Sequence, residues 1–363
     1  MTAVPPLTIR SFRIRAVDAP LDPPLCNSLG RITRAPLVIA ELQTAEGPRG
    51  SAYVFAYTPA ALLPLAALAH NLAEGLVGRP CAPQPLWQEQ QERLRLLGTE
   101  GLVTMAIAVL DMAMWDALGQ AAGVPLAVLL GGTTDPLPAY ASLRGWGPAM
   151  LEAEAAAAVA AWGARAVKFK LGHPRLEEDL DTVRAVRAAV GPDVEIMVDY
   201  NQALSRPEAL RRGLALQRQD VRWIEEPLHA TDDEGLAELS QRLAIPVQGG
   251  ENWWGPAGMA RSLAARAVRL CMPDVMKMGG ITGFLRAAAI AAAHRIPMSS
   301  HIFIEASAQC LPVVPTRHWL EHLDLAAPLL AETIALRDGC ALVPDRPGLG
   351  LRWDEAALAR YAA

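Results

Sequence analysis

Between residues 9 and 57, apolar and polar positions alternate with a period of two. Phe12, Ile14 and Ala16 fall on one side and Arg13 and Arg15 on the other, the signature of a half-buried strand. The runs "PLVIAELQT" and "SAYVFAYT" flank the Gly/Pro turn "AEGPRG", which predicts an antiparallel hairpin. Thr58-Pro59 then opens an Ala/Leu-rich helix, with a capping residue ahead of a first-turn proline. Helical sequence continues to about residue 130. A sheet followed by helices describes an α+β domain.

From about residue 137 the rhythm changes. Short apolar runs such as "RAVKFK", "VEIMVDYN", "VRWIEEP", "IPVQGGEN", "VRLCMPD" and "IPMSSH" alternate with amphipathic helical stretches. Repeated strand-then-helix units imply parallel strands joined by right-handed crossovers. Each run delivers an ionisable residue at its C-terminal end: Lys170, Asp199, Glu225, Glu251, Asp274 and His301. The spacings are 29, 26, 26, 23 and 27 residues, about one βα unit each. In a (β/α) barrel those ends converge on one face, where active sites are built. A doubly wound sheet is the competing topology. It would spread the ends along a line, and the chain has no GxGxxG after an early strand.

Asp199, Glu225 and Glu251 come from consecutive strands. A single strand-end carboxylate is usually a cap or an ion-pair partner, but three in register would repel one another unless a cation neutralises them. An all-oxygen set suits a hard ion, and Mg²⁺ is the natural candidate. Lys168 and Lys170, two apart in "AVKFKLG", would face the same surface of the barrel. Each ammonium disfavours the other, so one lysine is expected to have a depressed pKa and to serve as a general base. His301 ends a later strand across the barrel, and Asp274 on the adjacent strand could hold one imidazole nitrogen while the other moves protons. Asn201 lies two residues past Asp199 and could donate to a substrate. Lys277 is read as structural. One metal and two bases on opposite walls suggest racemisation: a metal-stabilised enediolate deprotonated from one face and reprotonated on the other.

Composition narrows the class. With 363 residues and 52% hydrophobic positions the chain can bury a sizeable core. A formal charge of −5 without a basic stripe argues against nucleic acid. Five scattered cysteines without CxxC spacing read as a reduced protein. The N-terminus lacks a signal-peptide core. The most apolar helix, "GLVTMAIAVLDMAMWDALGQ", is interrupted by Asp111 and Asp116, leaving too short a run to span a bilayer. A cytoplasmic protein is expected, with no membrane partner.

The stretches "RAVKFKLG", "IMVDYNQ", "WIEEP", "PVQGGENWWGP", "RLCMPDVMKMGGITG", "IPMSSHIF" and "HWLEHLDLA" are specific enough to carry a resemblance. The chain resembles the enolase superfamily, and within it the mandelate racemase subgroup, over nearly its whole length. Lys and His bases beside Mg²⁺ are an established device of that superfamily. The resemblance implies an α+β capping domain over residues 1–130, a (β/α)7β modified TIM barrel over 131–330, and a segment 331–363 that returns to the cap. It implies Lys170 as base for one enantiomer and His301, oriented by Asp274, as base for the other. Lys168 would bind the substrate carboxylate and lower the pKa of Lys170. Glu321, in "HWLEHLD", would be a protonated acid hydrogen-bonded to that carboxylate. Asn201 and Ser142 match polar contacts around substrate and metal.

The segment "PPLCNSLGRITRAP" would be a mobile loop over the substrate, with Leu25, Leu29, Ile32, Phe55, Tyr57, Ile302 and Leu323 forming an apolar cage. A homo-oligomer such as an octamer is implied as well. The chain departs from the subgroup in two places. Leu143 and then Arg144 follow Ser142, where the family carries a histidine. The capping loop holds Asn27, Arg31 and Arg34, and arginines near a site often read anions. The residues and the resemblance together imply a Mg²⁺-dependent racemase of a 2-hydroxy acid with an apolar or aromatic substituent. An acid-sugar dehydratase and a non-catalytic carboxylate binder are the alternatives.

Overall fold

A computed structural model describes residues 6–28 and 30–363. Leu29, one of the expected cage residues, lies outside them. The chain opens with a three-stranded antiparallel sheet of β1 (Ile9–Asn27), β2 (Gly30–Thr44) and β3 (Arg49–Phe55). The β1–β2 ladder runs from Ile9↔Thr44 to Asn27↔Gly30, with a register shift between Pro20 and Leu25. The segment expected as a loose covering loop is therefore the far end of a long hairpin. Prolines at 20, 23 and 24 remove N–H donors and interrupt the ladder without ending it.

Helices α1 (Pro59–Glu74), α2 (Pro83–Arg93) and α3 (Leu102–Ala122) follow, with a short α4 (Leu126–Leu129). Thr58 caps α1 by accepting from the Ala60 N–H. The apolar helix expected here is α3, and despite Asp111 and Asp116 it is long and apolar enough to cross a membrane, contrary to the sequence reading, although most of it is buried inside the protein. Its two aspartates are docking points. Asp111 accepts from the Thr282 backbone N–H at 3.0 Å and the Thr282 hydroxyl at 2.6 Å. Asp116 accepts from Ser51 N at 2.7 Å and Leu349 N at 2.6 Å. Burial pushes the two carboxyls up, to about 7 and about 6 respectively.

The barrel is built from β4 (Leu137–Ser142), β5 (Ala166–Lys170), β6 (Glu195–Asp199), β7 (Val221–Glu225), β8 (Val247–Gly249), β9 (Leu270–Cys271) and β10 (Leu320–His322). Strands β4 to β9 pair in parallel in that order, and β10 pairs with β4. Residues 298–301 close the gap between β9 and β10 through the bridges Cys271↔Met298, Asp274↔His301 and Met298↔Arg317. Helices α5 (Pro148–Trp162), α6 (Leu176–Val190), α7 (Arg206–Leu216), α8 (Asp233–Arg242), α9 (Gly255–Ala264), α10 (Ile281–His294) and α11 (Ile304–Cys310) alternate with the strands, which gives a (β/α)7β barrel. The expected strands "VRLCMPD" and "IPMSSH" shrink to a two-residue strand and isolated bridges. Pro273 and Pro297 sit within them, and neither can donate to a ladder.

The C-terminal segment packs back on the first sheet, through the Val17↔Ala362 bridge and the bond from the Trp353 indole to the Ser51 hydroxyl at 3.1 Å. The hairpin tip reaches the mouth of the barrel. Cys26 N donates to Arg144 O at 2.8 Å, and Ser28 lies directly over Gly172.

Candidate active site

Parallel strands of a closed barrel send alternate side chains inward, and their last inward positions meet at the C-terminal mouth. On β5 that rule turns Lys168 and Lys170 inward, and both are buried. On β6 and β7 it delivers Asp199 and Glu225, each 0% exposed, and after β8 it delivers Glu251. One oxygen from each acid lies within 4.8 Å of the others. The set fits a hard divalent ion. Its donors are all carboxylate oxygens, and Glu251 Oε2 is buried without a hydrogen-bond partner. His301 Nε2 approaches that oxygen to 3.3 Å.

The lysines lean on the acids. Lys168 Nζ donates to Glu225 Oε1 and lies 2.7 Å from Glu321 Oε1, while Lys170 Nζ donates to Asp199 Oδ2. Burial works against both ammonium charges, but Glu225 and Glu321 around Lys168, and Asp199 beside Lys170, outweigh it and raise both pKa values. The carboxylates that would hold a cation are also those that raise the lysines, so the depressed lysine expected from the sequence depends on those acids being neutralised. Mutual repulsion between the ammonium groups is the smaller effect when each touches a carboxylate. Burial also pushes the Glu225 carboxyl up, while Lys170 and Lys168 overcome burial to lower that of Asp199.

His301 stands on a different wall. Between its strand and β5 lie β10 and β4 on one side and β6 to β9 on the other. The acid trio occupies the longer arc. His301 Nδ1 lies 2.7 Å from Asp274 Oδ2, and Asp274 Oδ1 accepts from Met276 N at 2.8 Å and Lys277 N at 3.0 Å. The carboxylate is therefore fixed on one oxygen by backbone and offers the other to the imidazole. Burial lowers the His301 pKa, but Glu251 and the Asp274 hydrogen bond more than reverse that.

Three expected roles change. Glu321, on β10, is expected as a protonated acid; burial raises its pKa, but Lys168 and His301 pull it down, a direction that favours the carboxylate. Its Oε2 accepts from Ile302 N at 3.0 Å. Asn201 gives its side-chain N–H to Asp199 Oδ2 at 3.1 Å and its backbone N–H to Asp199 Oδ1 at 2.7 Å, which leaves Oδ1, an acceptor, unpartnered. Its φ of +42° takes it out of the strand. Arg144 and Arg34 are committed elsewhere: Arg144 donates to Pro23 O at 3.2 Å and to Asp324 O, and Arg34 binds Asp18 Oδ2 at 2.6 Å. Arg31 is exposed.

Ser142 ends β4 with a buried, unpartnered Oγ. Leu25 and Ile32 face each other across the hairpin tip. The Phe55 and Tyr57 rings meet at 4.7 Å, Ile302 and Leu323 are buried, and Tyr57 is 39% exposed.

Sequence reading missed Glu226 and Asn252 and set Lys277 aside. Strand alternation sends Glu226 outward, yet it is 3% exposed with a φ of +37°, ahead of Pro227. Asn252 Nδ2 donates to both its oxygens at 2.9 Å and to Glu251 Oε1 at 3.2 Å. The doubled Glu in "WIEEP" was the available signal.

Two family models cover the chain. Residues 9–131 match the mandelate racemase / muconate lactonizing enzyme N-terminal domain, and residues 150–357 match the enolase C-terminal domain-like model. Among curated proteins, L-talarate/galactarate dehydratase from Salmonella typhimurium is 31% identical over 90% of this chain and 82% of its own length. 3,6-Anhydro-alpha-L-galactonate cycloisomerase from Streptomyces coelicolor is 32% identical over 90% of this chain and 91% of its own. Among solved structures, an enolase from Bradyrhizobium complexed with magnesium and mandelic acid superposes with a TM-score of 0.96 at 44% identity, covering 99% of this chain and 100% of that one.

Proposed function

Because the chain belongs to the mandelate racemase / muconate lactonizing enzyme family of the enolase superfamily, we propose that it is a Mg²⁺-dependent racemase of a 2-hydroxy carboxylate with an apolar or aromatic substituent. The observation that carries this reading is the pair of proton-transfer groups, Lys170 and the Asp274-held His301, on two walls flanking an acid trio. Asp199, Glu225 and Glu251 would hold the ion. When bound, Mg²⁺ supplies positive charge beside the substrate carboxylate and acidifies the adjacent C–H.

The protein's own residues do the rest. Lys168 binds the carboxylate, and Glu321, 2.7 Å away, keeps that ammonium in place. Despite burial, the pKa of Lys170 is raised by the same Asp199 that would hold the ion, and Lys170 would work as an amine once that carboxylate is neutralised. It takes the α-proton from one face, and His301 as an imidazolium returns a proton to the other. The reverse turnover exchanges their roles. Asp274 accepts the Nδ1 proton and so leaves Nε2 for the substrate. The hairpin tip of the first domain reaches over the mouth, and the apolar side chains of Leu25, Ile32, Phe55, Tyr57, Ile302 and Leu323 face an apolar substituent.

The second reading is dehydration of an acid sugar. The likeness to L-talarate/galactarate dehydratase favours it, and His301 could protonate a departing β-hydroxyl. Against it, a polyol needs several polar partners, while Arg34 and Arg144 are already bonded to Asp18 and to backbone carbonyls. Incubation with Mg²⁺ and separate panels of aryl 2-hydroxy acids and acid sugars, followed by NMR and optical rotation, tests the two. Rotation decaying to zero with unchanged composition supports the racemase. A 2-keto-3-deoxy product from an acid sugar supports the dehydratase and refutes the first reading.

A further inference from the structure

Lys277 is a buried lysine that the proposed chemistry does not use. It is 3% exposed, and among the described residues no carboxylate oxygen lies in ion-pair range of its Nζ. A buried ammonium without a direct counter-charge is costly unless other groups satisfy it. Three do. Nζ donates to Asn252 Oδ1 at 2.5 Å, and it lies 4.6 Å from the Tyr57 ring centroid and 5.5 Å from that of Trp254. The backbone is pinned as well: Lys277 N donates to Asp274 Oδ1 at 3.0 Å, and Gly255 N donates to Lys277 O at 2.8 Å.

The bond to Asn252 decides which way that amide points. An ammonium has donors only, so it accepts nothing and takes the amide oxygen. The NH₂ end must then face the other way, where it meets both oxygens of Glu226 and Oε1 of Glu251. A flipped amide would set its oxygen against two carboxylates. Glu251 is consequently held by one oxygen while the other, Oε2, is buried without a hydrogen-bond partner, with only His301 Nε2 near it at 3.3 Å. That is the arrangement of a metal ligand oriented from behind. Tyr57, on the first sheet's side of the molecule, covers the ammonium that starts the chain of contacts.

We propose that Lys277 is a positioning residue for the divalent-cation site, acting through Asn252 on Glu251 and Glu226, and that the Tyr57 ring helps to hold it. The proposal rests on the assignment of Asp199, Glu225 and Glu251 as metal ligands. Loss of such outer contacts weakens metal binding about 10- to 100-fold. Removing a positive charge acts in the opposite direction, since one fewer cation near the acids favours Mg²⁺. The two roles are therefore separable by sign.

The test is Mg²⁺ titration calorimetry on the full chain, with folding checked by circular dichroism. Lys277→Met is expected to weaken Mg²⁺ about tenfold or more. Asn252→Ala, which retains the Lys277 charge, is expected to do the same, and it carries the test if Lys277→Met does not fold. Tyr57→Phe keeps the ring and should stay within about twofold of wild type, while Tyr57→Leu should weaken binding about threefold. Equal or tighter Mg²⁺ binding by either Lys277→Met or Asn252→Ala overturns the positioning role. An unchanged Kd in Tyr57→Leu overturns the part assigned to the ring. A wild-type protein that binds no Mg²⁺ would instead overturn the metal assignment itself.

Discussion

Replacing Asp274 by Asn isolates what the carboxylate does for His301. Asp274 Oδ1 takes two backbone N–H bonds, from Met276 and Lys277, and only Oδ2 faces the imidazole. In Asp274→Asn the amide oxygen must occupy the Oδ1 position, because an NH₂ there would confront two donors. The NH₂ then points at His301 Nδ1 and donates to it. Nδ1 becomes an acceptor and the ring proton moves to Nε2, so neutral His301 has no lone pair to offer the substrate. Wrong-tautomer substitutions of this kind cost about 10³- to 10⁴-fold in rate, which corresponds to about 4 to 5.5 kcal/mol of barrier. The loss is directional. Solvent deuterium exchange at the α-carbon, measured by NMR from each pure enantiomer in D₂O, should collapse for the enantiomer deprotonated by His301 and persist for the one deprotonated by Lys170. Equal losses from both enantiomers, or a loss smaller than about tenfold in the His301 direction, would refute the reasoning.

Other perturbations bear on other parts of the account. Lys170→Arg and His301→Asn are each expected to abolish racemisation yet leave α-proton exchange from one enantiomer, opposite in the two variants; chiral chromatography of the recovered acid checks this. Asp111 has a folded-state pKa raised to about 7, so the folded form binds its proton more tightly. Its favourable contribution is complete below the unfolded value and is lost as pH rises through 7. Asn can retain both Thr282 contacts, so Asp111→Asn should gain on wild type between pH 4 and pH 8 by an amount on the order of 4 kcal/mol at most, read from denaturant melts; a pH-independent difference would contradict it. Gly172 has φ +120°, and a Cβ there would sit 3.2 Å from the Ser28 Cβ. Gly172→Ala should cost about 1 to 2 kcal/mol of stability and raise KM, measurable by thermal melts and initial rates.

The parts of the site legible in the sequence were those obeying a period. Lys168, Lys170, Asp199 and Glu225 stand at inward strand positions, so alternation and the βα spacing were enough to bring them to one mouth. Glu226 broke the period because its positive φ turns the chain back before Pro227, and alternation has no term for that. Lys277 and Asn252 lie on turns beyond strand ends, where neither period nor propensity says which way a side chain points. The charge state of Glu321 depends on a 2.7 Å approach from a strand far away in sequence, which spacing cannot supply. Asp111 and Asp116 read as interruptions of an apolar helix, whereas they are buried acceptors for Thr282, Ser51 and Leu349. Tertiary hydrogen bonds let α3 bury both carboxyls without leaving them unsatisfied.

The central claim is that two proton-transfer groups work from opposite faces around one divalent ion. A single-turnover experiment in D₂O, with each enantiomer of an aryl 2-hydroxy acid and the Mg²⁺-loaded protein, tests it most directly. The account predicts that either enantiomer yields its mirror image carrying deuterium at the α-carbon, and that stripping the ion with a chelator stops both conversions. Deuterium entering only with retention of configuration, or inversion that survives removal of the ion, would contradict it.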